Sequence, residues 1–85
     1  MTKEELLELI EGVDEDLMLA DGYEDCILGI HWQAFDHPTC VVYDQTKIIA
    51  KLAVEMDYHE AEEYFQFNIA GAYVGEHTPI YVQTV

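Results

Sequence analysis

The residues best suited to binding a metal gather in one stretch: His31, His37 and Cys40, with Cys26 a few positions earlier. Imidazole and thiolate are the ligands zinc takes, four in a tetrahedron at recurring spacings. The spacing here, His-x5-His-x2-Cys, is none of those. His31 reads as a strand residue and His37 as a loop residue, so no metal site is expected. Acid–base catalysis requires carboxylates held in different environments, so that their pKa values separate. The acids at Glu4, Glu8 and Glu11, and again at Glu60, Glu62 and Glu63, fall on the outer faces of helices, where solvent treats them alike. The sequence has no Ser, and neither Cys has a His and an acid at a spacing that would activate it. It has no Arg to clamp a phosphate and no phosphate-loop or dinucleotide glycine pattern. The chain is expected to be no enzyme and to bind no cofactor.

The elements that would position these groups are legible from periodicity. Thr2 followed by Glu5 is a capping-box pattern, and Leu6, Leu9, Ile10 and Val13 recur at helical spacing, which predicts a helix over about 3–11. Asp21-Gly22 marks a turn; the stretch 14–20 fits either a helical turn or a loop. Cys26, Leu28, Ile30 and Trp32 alternate with Ile27, Gly29 and His31, the pattern of a strand with two distinct faces. Cys40 to Tyr43 reads as a second strand, antiparallel to the first across the loop 33–39. Asp44 is placed to cap a helix over about 45–56, and Asp57 with Glu60 to cap another over about 59–70, with Gly71 as its left-handed terminator. Pro79 restricts Ile80 to Thr84 to a strand at a sheet edge. The predicted class is α+β, a single domain over residues 1–85 in the order α-β-β-α-α-β, with a mainly antiparallel three-stranded sheet packed against helices.

At 85 residues there is room for one core. A hydrophobic fraction of 51% is far above that of a disordered acidic tail, so the chain should fold. Eighteen Asp and Glu against 3 Lys leave a formal net charge of −15. A field of that sign repels nucleic-acid phosphates and anionic lipid, which argues against direct DNA, RNA or membrane binding and favours basic proteins. The same acid also serves plain solubility. No stretch reaches the roughly 20 apolar residues of a membrane span, and the N-terminal segment is acidic where a secretion signal is basic and apolar. A cytosolic protein with reduced thiols is expected.

The segments EDCILGI, VVYDQTKIIAKLAVEMD and HEAEEYFQFNIAGAYVGEHTPIYV together resemble a family of short bacteriophage and prophage proteins. Its members read D-D-A-I-I-G, then Y-D-x-x-K, then E-E-A-x-E-Y-F-x-F-N-x-x-G-A-Y/W-V-G-x-x-T-P. The resemblance spans about residues 24–83 and implies a viral or mobile-element origin. It carries no catalytic residues, because the family has no assigned activity. The chain departs from it in its acidic N-terminus and in Cys26, where Ala is usual.

The block from Tyr64 to Thr78 is chemically the most distinctive. Phe65 and Ile69 belong to the core stripe, and Asn68 reads as a buried amide bonded to the turn after it. Phe67 lies off that stripe and Tyr73 in a turn, so both are candidates for an aromatic binding patch with Glu76, His77 and Thr78 as its polar rim. Glu4, Glu8 and Glu11 line one side of the first helix and form the second candidate surface. Together they point to a protein that binds a host or viral partner with a basic surface. The alternatives are an acidic mimic that occupies a nucleic-acid-binding cleft, and a self-associating structural module, a homodimer built on the edge strand.

Overall fold

The computed structural model describes residues 3–13, 17–20, 22–34, 38–71, 75 and 77–84. They form helix α1 (Lys3–Val13), a 3-10 turn (Glu24–Cys26), strands β1 (Ile27–His31) and β2 (Cys40–Asp44), helices α2 (Gln45–Leu52) and α3 (Tyr58–Tyr64), a π-helical segment (Phe65–Ala70) and strand β3 (Ile80–Val82). The class is α+β in the order α-β-β-α-α-β, and the sheet is mixed. β2 is central, antiparallel to β1 and parallel to β3. The parallel pairing follows from connectivity: the chain leaves β2, runs through α2, α3 and the π-segment, and returns to the sheet, the crossover that parallel neighbours require.

The caps form where the acids are placed. Lys47 N–H donates to Asp44 Oδ1 at 3.2 Å, and Glu60 N–H to Asp57 Oδ1 at 3.0 Å. The bond from Glu60 N–H is the main reason the Asp57 carboxyl titrates below its usual range. Asp44 also reaches the C-terminal segment, where the same Oδ1 accepts from the Thr84 hydroxyl at 3.0 Å, while Thr84 N–H donates to Thr46 Oγ1 at 3.2 Å. These bonds stitch the segment after β3 to the start of α2. Thr2 of the expected first cap lies outside the described residues.

The core sits on one face of the sheet. Val41 and Tyr43 of β2, Ile48 and Ile49 of α2, Ala61 of α3, Phe65 and Ile10 of α1 are all buried there. Tyr43 stacks on Tyr81 of β3 with ring centroids 5.6 Å apart, and Phe65 meets Tyr81 edge-on at 5.2 Å. This aromatic trio joins both parallel strands to the π-segment, in the offset and perpendicular arrangements that ring quadrupoles favour. The Tyr43 hydroxyl also accepts from Ala20 N–H at 2.7 Å, which holds the segment 17–20 against the sheet in a non-helical conformation.

Several local expectations need correction. The clean alternation predicted for 26–32 is broken by a bulge: Ile27 pairs with Tyr43 and Gly29 with Val42, so Leu28 is the extra residue and is 53% exposed. Cys26 lies in the preceding 3-10 turn and Trp32 beyond the strand. Helix α2 ends at Leu52, with turns over 53–55. Asn68 is exposed, and its amide donates back to the Tyr64 carbonyl at 3.3 Å, where a bond to the following turn was expected. Gly71 has φ −81, an ordinary right-handed value. Glycine is needed there because a Cβ would lie 2.9 Å from the Gln66 backbone oxygen, which the wider π-turn brings close. Finally, β3 is three residues long, ending at Val82.

Candidate functional site

The possible metal ligands are spread along the sheet. His31 and Cys40 are cross-strand partners at one end of the β1–β2 ladder, while Cys26 precedes the other end and His37 lies outside the described residues. Among the described residues no group of three His, Cys, Asp or Glu is placed to hold an ion. Both cysteines are free and buried. Burial raises each thiol pKa, and the neighbouring Asp25 raises that of Cys26 further, so the nucleophilic thiolate is disfavoured at both.

His77 is half-buried, with Nδ1 2.6 Å from the Thr39 carbonyl. A carbonyl only accepts, so Nδ1 carries a proton in this bond. His77 thereby ties the turn 75–78 to the start of β2. Thr78 completes that turn by donating its hydroxyl to Gly75 O at 2.7 Å, and Gly75 has the positive φ of 118 that a turn glycine supplies. Tyr73 and Glu76, the other expected members of this patch, lie outside the described residues.

Two of the three lysines are engaged within the fold. Lys47 and Lys51, one turn apart on α2, both reach the segment 22–25. Lys47 Nζ donates to the Asp25 carbonyl at 3.1 Å; Lys51 Nζ donates to Gly22 O at 3.0 Å and to Asp25 Oδ1 at 2.8 Å. Lys51 also lies over the Tyr23 ring, 5.6 Å from its centroid. The bond from Lys51 holds the Asp25 carboxyl below its usual range, and the same bond raises the Lys51 pKa. Because the folded pKa of Asp25 is depressed, its stabilising contribution is complete above the ordinary Asp value of about 3.9 and fades as pH falls through the lower folded value. Asp25→Asn is therefore expected to lower the thermal midpoint modestly at neutral pH, as befits an exposed ion pair. The gap from the parent should close below about pH 3.9; a gap constant down to pH 2 would contradict the pairing.

Two acidic surfaces remain. On α1, Glu4, Glu8 and Glu11 are all exposed, at i, i+4 and i+7 along one face. On α3, Glu60, Glu63 and Tyr64 form an exposed stripe at i, i+3 and i+4, and the exposed Phe67 follows it on the π-segment. Phe67 is 81% exposed, while Phe65, two positions earlier, is fully buried. His59 approaches Glu63 at 3.0 Å on the flank of the stripe. Glu60, Glu63 and Tyr64 were absent from the expected site, although their spacing from Phe67 was already visible in the sequence.

The fold defines a small α+β domain with helices against one face of a three-stranded sheet, and no helix among the described residues is long and apolar enough to cross a membrane. Comparison with protein-family models, curated proteins and solved structures finds no match.

Proposed function

We propose that the protein is a non-catalytic binding module whose partner is a protein with a basic surface. The observation that carries this reading is the engagement of Lys47 and Lys51 with the segment 22–25. The formal charge of −15 already counts all three lysines, and with Lys47 and Lys51 bonded to that segment the exposed carboxylates of α1 and α3 set up a field that attracts cationic surfaces over about a Debye length, roughly 8 Å at physiological salt. The raised thiol pKa values and the solvated carboxylates also favour binding over chemistry. A viral or mobile-element origin, implied by the C-terminal resemblance, and a cytosolic setting belong to the same proposal.

The test is affinity capture on the immobilised full chain from a bacterial lysate. Retained proteins should be basic, and their retention should fall steeply with added salt. Retention of neutral or acidic proteins alone, or none at all, would overturn the reading. The nucleic-acid-mimic version draws on the aligned Glu4, Glu8 and Glu11 of α1. It requires that E4Q/E8Q/E11Q abolish capture and that free DNA or RNA compete for the captured partner.

A further inference from the structure

We infer that the stripe Glu60, Glu63, Tyr64 and Phe67 is the docking surface, and that its occupant is a cationic amphipathic helix of a partner protein whose apolar side receives Phe67. This rests on the binding reading above and locates it. A single exposed hydrophobe is ordinary on a protein surface. Here Phe67, 81% exposed, has the exposed Tyr64 one helical turn before it. Exposed aromatics form the anchors of protein interfaces, surrounded by polar groups that exclude water. The backbone supplies a second, independent sign. Phe67 is carried on a π-helical segment, a conformation with poorer intrinsic stability than the α-helix that recurs at functional sites, and Gly71 relieves the crowding it creates at the Gln66 carbonyl.

Charge identifies the occupant. Glu60 and Glu63 border the aromatics, and Lys47 and Lys51 are bonded to the segment 22–25. His59 Nε2 lies 3.0 Å from Glu63 Oε1 at the edge of the stripe. An apolar surface bordered in this way is complemented by an apolar face flanked by Lys or Arg, the arrangement of a basic amphipathic helix laid against a binding surface. A second copy of this chain would bring another formal −15 to the same place.

The experiment is an NMR titration of the isotopically labelled full chain with a synthetic amphipathic Lys/Leu helical peptide, beside a scrambled peptide of identical composition. Amide shifts should concentrate at 60–70, and the ordered peptide should bind more tightly than the scrambled one. Phe67→Ala should weaken binding about tenfold or more, as loss of an interface anchor does, without moving the thermal midpoint. E60Q/E63Q should flatten the salt dependence, whereas E4Q/E8Q/E11Q should leave affinity within about twofold. Shifts centred on α1, equal affinity of the two peptides, or an unchanged affinity in Phe67→Ala would overturn the proposed surface while leaving a basic partner in place. Binding of neither peptide would overturn both, and concentration-dependent shifts at 60–70 in the protein alone would replace the cationic helix by a second copy.

Discussion

Phe65→Ala is expected to cost about 3–5 kcal/mol and Phe67→Ala less than about 0.5 kcal/mol, although the residues are two positions apart and chemically identical. Phe65 has no exposed surface and packs edge-on against Tyr81, which in turn stacks on Tyr43. Its removal opens a cavity between the sheet and the π-segment and strips the aromatic trio of its outer member. Small domains are stable by only about 5–15 kcal/mol, so the first variant should be partly unfolded near room temperature in modest denaturant. Phe67 projects into solvent, and its truncation removes little packing. Urea midpoints of the two variants measure the contrast directly. Comparable losses from both would mean that Phe67 is buried in solution.

Gly71→Ala should destabilise the protein by about 1–3 kcal/mol, the usual cost of forcing atoms into an occupied space. Helix propensity alone predicts the opposite sign, since Ala is about 1 kcal/mol better than Gly within a helix. The φ of −81 suits any L residue, so backbone strain does not enter. What decides is the added methyl, 2.9 Å from the Gln66 carbonyl oxygen and 3.5 Å from that of Phe67. A backbone carbonyl cannot swing aside as a side chain does, so the π-turn must loosen. Denaturation midpoints together with hydrogen exchange at residues 69–71 give the measurement. A gain in stability would show that the segment rewinds to an α-helix at no cost, which would also re-aim Phe67.

The alternation of elements and both interior caps are local properties, and the sequence carries them openly. Asp44 and Asp57 each stand three residues before the N–H they accept, and Ile48, Ile49, Ala61 and Phe65 recur at the spacing of a buried helical stripe. The same periodicity puts Phe67 off the buried stripe. The choice between α and π winding at 65–70 does not, because each residue there accepts either pattern. What decides is the simultaneous packing of Phe65 on Tyr81 and the space left at Gly71.

The bulge at Leu28 depends on how β1 meets β2, and the parallel place of β3 depends on the route the helices take across the sheet. The partners of Lys47 and Lys51 lie 22 to 29 residues away, beyond the reach of any pattern in spacing. The amino-acid sequence by itself determined the order of the main helices and strands, two helix caps and the excess of acid, since propensity, capping and charge act over a few residues. Tertiary structure alone decided that β3 lies parallel beside β2, where β1 bulges and which lysines are withdrawn from the acidic surface. Those outcomes depend on pairings between distant parts of the chain, and they exist only once the core has closed.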